Sequence, residues 1–127
     1  MKKSSVLIIL SMLFSCSNDD AEQLYGTWRV DSKFYKAKYE ILEVENKVKA
    51  KIKYYNDDTT VIKEDAVNPR YILNNLLQKE NVFVDAVSGA TTSNEYITEI
   101  KPKHKDTLEV ITHLMNKPLK ELWIRIN

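Results

Sequence analysis

The residues best suited to chemistry lie in one stretch, Val82 to Asn94, VFVDAVSGATTSN. It holds one of only two glycines and the densest run of small and hydroxyl side chains in the 127-residue chain. A glycine there lets the backbone approach a phosphate, and neighbouring amides can cradle an anion. The same residues also suit a plainer role. Ser88 and Gly89 can turn the chain tightly, with Asp85 ending one strand and Thr91 to Asn94 starting the next.

Other constellations offer less. His104 lies in a lysine-rich KPKHKD turn and His113 at a strand end, so both read as surface residues rather than ligands. There is no HExxH pair, nucleophile elbow or phosphate-binding loop. Glu40, Glu43 and Glu45 alternate with apolar or basic neighbours, which suits salt-laced outer faces better than paired acid/base work. The residues alone predict a protein that is not an enzyme and holds no metal.

Met1 to Cys16 reads as a processing segment. Lys2 and Lys3 form a positive start, and Val6 to Phe14 is an apolar run interrupted by Ser11. It is too short for a membrane-spanning helix, which needs about 20 apolar residues. The closing Leu13-Phe14-Ser15-Cys16 resembles the bacterial lipobox. That resemblance implies a signal peptide over residues 1–15, a diacylglycerol on the Cys16 thiol with palmitate-type acyl chains, and a tether over 16–23. Ser17 after the cysteine implies, by the same resemblance, sorting to the outer membrane of a Gram-negative-type envelope. Cys16 is the only cysteine, so no disulfide, thiolate nucleophile or thiolate metal site remains for the mature domain.

The remaining residues, 24–127, make one domain of a size that buries about two thirds of its unfolded surface. Without Lys2 and Lys3, 17 basic side chains face 18 acidic ones. That balance excludes a nucleic-acid footprint and a polybasic membrane patch.

The clearest periodicity is Lys47 to Tyr54, KVKAKIKY, with Val48, Ala50, Ile52 and Tyr54 on one face and four lysines on the other. Strict period two predicts a strand with a solvated lysine face. Ala37, Tyr39 and Ile41 alternate upstream, Glu45-Asn46 turns the chain, and a slip between Ile41 and Leu42 predicts a bulge. Asn56-Asp57-Asp58 reads as a turn before a weak strand over Thr59 to Lys63. Asn68-Pro69 starts another turn, and Tyr71 to Leu77 suits a short helix or a strand. Strands are predicted over Thr27 to Lys33, Glu95 to Ile100, Thr107 to Leu114 and Leu122 to Ile126. Lys101 to Asp106 and Met115 to Glu121, which carries Pro118, read as the connections. Seven or eight short antiparallel strands in sequence predict an all-β meander closed into a small barrel.

Two resemblances sharpen this. Leu24-Tyr25-Gly26-Thr27-Trp28 resembles the glycine-x-tryptophan opening of lipocalin-like barrels, and Trp123-Ile124-Arg125 their closing strand. The whole domain is similar to the envelope family catalogued as domain of unknown function 2147, through its GxW, xKVxxKI, Asn-Pro, Thr-Leu-x-Val and WxR segments. This implies that Gly26 and Trp28 seat the barrel floor, that Arg125 clamps Trp28, and that Trp123 belongs to the closure. It confers no activity. Separately, Asp85, Ser88, Gly89, Ala90 and Thr91 resemble the signature at which envelope electron carriers esterify a flavin to threonine. That would make Thr91 the attachment point of a covalent FMN. Those carriers continue into a helix, whereas Glu95 to Leu114 here reads as two strands, so the turn reading is preferred.

The expectation is a monomeric, lipid-anchored lipocalin-like barrel that binds a small apolar ligand or an envelope partner, but no nucleic acid. Tyr39, Ile41, Val48, Ile52, Tyr54, Val110 and Ile124 would line its mouth. The alternatives are a barrel filled by its own side chains, with a structural or protein-binding role, and the FMN carrier.

Overall fold

A computed structural model describes residues 19–85, 98–114 and 117–127. The stretch expected to be a signal peptide, Cys16, Ser88, Gly89 and Thr91 lie outside the described residues. A single helical turn, α1 (Asp19–Glu22), leads into ten strands. These are β1 (Gly26–Asp31), β2 (Lys36–Val44), β3 (Lys47–Asn56), β4 (Val61–Lys63) and β5 (Tyr71–Leu73), followed by β6 (Leu76–Lys79), β7 (Val82–Asp85), β8 (Thr98–His104), β9 (Thr107–Leu114) and β10 (Lys117–Arg125). Every pairing is antiparallel, in the order β4-β3-β2-β1-β10-β9-β8-β7-β6, and β5 pairs with β3.

The ladder returns on itself. β5 bonds to β3 and, two residues later, β6 pairs with β7, so Tyr71–Lys79 joins the two ends of the sheet. With β4 lying along the same edge of β3, the ten strands of the described residues make one strongly curled antiparallel sheet, consistent with a lipocalin-like barrel. The outer edge of β3 is occupied through its whole second half. β4 pairs with Tyr54, Tyr55 and Asn56, Glu64 N–H donates to Lys53 O at 3.0 Å, and Ile52 N–H donates to Arg70 O at 2.8 Å. Covering the β3 edge in this way shields backbone groups that would otherwise template aggregation.

Local chemistry explains the corners. Glu45 and Asn46 both have positive φ, 51° and 66°, the twist that a two-residue hairpin between β2 and β3 requires. In the next turn the Asp57 carboxylate accepts from the amides of Thr60 (2.6 Å) and Thr59 (3.0 Å), and these bonds hold its pKa below the usual carboxylate range. Asp85, fully buried at the end of β7, accepts from the amides of Asn74 and Asn75 at 3.3 and 3.1 Å. Those two amides form the kink between β5 and β6, so Asp85 holds the corner at which the barrel closes.

The core comprises Leu24, Trp28, Val30, Ala37, Tyr39, Ile41, Ala50, Ile52, Leu73, Leu76, Phe83, Ile100, Leu108, Val110 and Trp123. Trp28 and Trp123 are its largest members, and burying a side chain of this kind contributes about 2–3 kcal/mol.

Several boundaries differ from the sequence expectation. β8 runs on through Lys101 and Pro102 to His104, leaving only Lys105-Asp106 as the turn, because Lys101 and Pro102 pair with Glu109 and Leu108. β10 begins at Lys117 rather than Leu122, and Pro118 faces His113 across the ladder. Proline is tolerated because β1 pairs with β10 only at residues 123–125, so β10 has an open side there among the described residues. No bulge falls between Ile41 and Leu42. The register shifts instead between Lys38 and Tyr39, where Lys53 is the extra residue on β3. Tyr71 to Leu77, open to either reading, is strand on both sides of the kink.

Candidate functional site

The two ends of the barrel are built differently. At the end where the chain enters, the Arg125 guanidinium carbon lies 4.3 Å from the Trp28 ring centroid, across the Trp28↔Arg125 register pair. Arg125 donates to the carbonyls of Tyr25, Gln23 (2.7 Å) and Lys105 (3.0 Å), and it pairs with Asp106 at 3.2 Å. Trp28 Nε1 donates to Leu24 O at 2.9 Å. Gly26, with φ +129°, makes room: a Cβ there would stand 2.6 Å from Asn127 O and 2.7 Å from Arg125 Nη1. This end is sealed, with its charge engaged by backbone oxygens and one aspartate.

The opposite end has a gap in its wall. The β1–β10 ladder contains only Trp28↔Arg125, Arg29↔Ile124 and Val30↔Trp123, so the seam opens beyond Val30. The β1–β2 loop, Ser32 to Tyr35, spans the opening. Ser32 Oγ accepts from the amides of Phe34 (3.0 Å) and Tyr35 (3.2 Å), which fixes the loop's shape and leaves Phe34 73 % exposed. Tyr35 reaches across and donates its hydroxyl to Glu121 Oε1 at 2.6 Å. A cleft of about 370 Å³ lies between loop and strand, lined by Asp31, Ser32, Lys33, Phe34, Leu119, Lys120, Glu121 and Leu122. A second, of about 200 Å³, lies on the other side of the loop and includes Tyr35, Asn56 and Asp58.

Behind the seam stands a cluster of aromatic and polar groups. Tyr35 stacks on Tyr55 with ring centroids 5.2 Å apart, and Tyr39 packs on Trp123 at 4.9 Å. Burial and then the bond to Glu121 push the Tyr35 phenol well above its ordinary range, and burial raises Tyr39 to about 12. Glu121 and Trp123, two apart on β10, share the inward face. Among the described residues, Glu121 Oε2 and Trp123 Nε1 are buried side-chain atoms without a hydrogen-bond partner.

The residues singled out in the sequence fall in several places. Tyr39, Ile41, Ile52 and Val110 are in the packed core, and Val48 packs against it. Tyr54 turns outward opposite exposed Lys38, because the extra residue at Lys53 brings Tyr55 to the inner face instead. Ile124 also faces outward, since period two cannot bury both it and Trp123. On the lysine face Lys51 meets Glu64 at 2.9 Å and Glu40 at 3.6 Å, Lys53 approaches Glu40 at 3.9 Å, and Lys49 lies over the Tyr71 ring at 4.7 Å. His104 is exposed. His113 meets Glu99 on β8 at 3.8 Å. Of the flavin-like signature only Asp85 is described, and its carboxylate serves the β5–β6 kink.

Tyr35, Phe34, Leu119 and Glu121 were not singled out in the sequence. Once β10 extends back to Lys117, the alternation Leu119, Glu121, Trp123 places an acid on the inward face. That was the available signal. No family model, curated protein or solved structure matches the chain.

Proposed function

We propose that the protein is a non-enzymatic binding module of the bacterial cell envelope, a monomer held to the outer membrane by lipid on Cys16. It takes a small, mainly apolar ligand at the β1–β10 seam. The carrying observation is the cleft of about 370 Å³, walled by exposed Phe34 and Leu122 with Leu119 and Glu121, at the end of the barrel remote from the tether. Its volume is within the range of small-molecule sites, about 300–1,000 Å³. Trp28, Tyr39, Phe83 and Trp123 pack the middle of the barrel, which favours a ligand at the seam over one in the interior.

Amide chemical-shift mapping with a library of small apolar fragments tests this reading. Binding fragments are expected to shift Ser32–Tyr35 and Leu119–Trp123 together and leave the Arg125 end unchanged. Shifts confined to the cleft of about 340 Å³ at Ile52, Thr60–Lys63, Asp65 and Arg70, or to the Arg125 end, would overturn it.

A further inference from the structure

We propose that the free edge of β10 receives an extended, acidic segment of another protein, which adds a strand to the sheet beside residues 118–121. The inference rests on backbone register and is separate from the small ligand. The added strand would lie across the cleft, so the two occupants exclude each other.

β1 pairs with β10 only at residues 123–125 and leaves the sheet after Asp31. β10 continues back to Lys117, bonded on its other side to β9 in unbroken register. The free groups can be named. Arg125 N–H donates to Asp106 O, toward β9, and Ile126 N–H donates to Thr27 O, toward β1. Backbone groups alternate sides along a strand, so the even-numbered residues of β10 face the place that β1 vacates. Pro118 offers a carbonyl there, and Lys120 a carbonyl and an N–H. Neither has a backbone partner on that side among the described residues. Pro118 fits this parity, because its missing N–H costs the β9 ladder no bond. The cleft of about 370 Å³ separates this edge from the β1–β2 loop.

An antiparallel strand continues the pattern of the sheet. One of its residues exchanges two hydrogen bonds with Lys120, and another, two positions on, donates to Pro118 O. Opposite side chains share a face, so the residue facing Lys120 points outward with it, and its neighbours turn inward beside Leu119 and Glu121. The charges select an acid for the outward position. Lys33 and Lys120 line the cleft and have no ion-pair partner among the described residues, whereas Asp31 is held by Arg29 at 3.1 Å and Glu121 by Tyr35. A lysine and a proline on an open edge guard it against a second copy of the chain, which would bring like charge and a residue without N–H. An acidic strand with apolar residues between its acids passes that guard.

The probe is a capped heptapeptide that alternates glutamate and valine and ends on glutamate at both sides, titrated into ¹⁵N-labelled protein. It should shift the Lys120 amide saturably and slow its exchange with solvent. Methylating the glutamate amide nitrogens, which face β10, should weaken binding about tenfold or more, whereas methylating those of valine, which face away, should change it less than about threefold. Lysine in place of glutamate should also cost about tenfold or more. K120P removes the edge N–H without touching a β9 bond, and it should weaken the parent peptide to a similar extent. If that variant does not fold, the peptide series on the unaltered protein decides alone. Equal binding of the two methylated forms, a lysine peptide that binds as well as the parent, or no shift at Lys120 overturns the inference. So does a concentration-dependent dimer that protects Lys120 without peptide, which would give the edge to a second copy. If the peptides fail while apolar fragments still shift Ser32–Tyr35 and Leu119–Trp123, the added strand falls and the small-ligand site stands; the reverse result supports the strand and removes the small ligand.

Discussion

Tyr35 and Glu121 are 86 positions apart in sequence, and the 2.6 Å hydrogen bond between them crosses the barrel wall at the place where its backbone ladder stops. The bond does two things. It ties the β1–β2 loop to β10 where β1 no longer can, and it orients a carboxylate so that its second oxygen points inward. A seam held by one side-chain bond is easier to open than one held by a ladder, which suits an entrance.

The alkaline limb of stability should report this cluster. Burial and the Glu121 contact raise the Tyr35 phenol above its ordinary range, and Tyr39 is raised to about 12. The unfolded chain ionises these phenols near pH 10, before the folded one does. Their contribution is therefore complete below that pH and is lost as pH rises towards about 12. Urea midpoints should fall over this window, and Y39F should flatten the decline.

Replacing Arg125 with alanine removes the contact with Trp28, the bonds to three backbone carbonyls and the pairing with Asp106. The expected loss is about 2–4 kcal/mol, from one cation–π contact and several charge-assisted bonds on a partly sheltered side chain. R125K should recover less than half of it, because an ammonium cannot fork between those carbonyls. Urea denaturation at unchanged m-value measures both.

Gly26→Ala places a Cβ 2.6 Å from Asn127 O at a φ of +129°. A backbone held in that region by a non-glycine residue costs about 1–3 kcal/mol. The loss should appear as a lowered thermal midpoint, with the C-terminal residues displaced.

Asp85→Ala removes the acceptor of the Asn74 and Asn75 amides at the β5–β6 kink. Each orphaned N–H costs about 1–3 kcal/mol. Hydrogen exchange should accelerate first in β5 and β6, the segment that joins the two ends of the sheet. An exchange pattern unchanged in those strands would contradict the role assigned to Asp85.

How far the sequence led can be judged residue by residue. The KVKAKIKY alternation placed β3 because a half-wetted sheet imposes period two directly on composition. The all-β barrel followed from repeated short strands and turns. What stayed hidden depended on contacts far apart in the chain. Pro102 and Pro118 signal loops locally, yet both sit in strands because pairing with β9 outweighs the local preference. One extra residue at Lys53 exchanges Tyr54 for Tyr55 on the inner face, and no local feature of KIKYY announces it. Glu121 was read as part of a loop, so its partnership with Tyr35 could not be seen until β10 was extended back.

The seam as entrance and site is tested most directly by isotope-filtered nuclear Overhauser spectra of the labelled protein with 1-hexanol. The methylene protons should show cross-peaks to the Phe34 ring and to the methyl groups of Leu119 and Leu122. Cross-peaks instead to Ile52 and Val110 in the packed interior, or to residues around Arg125 at the sealed end, would contradict the account.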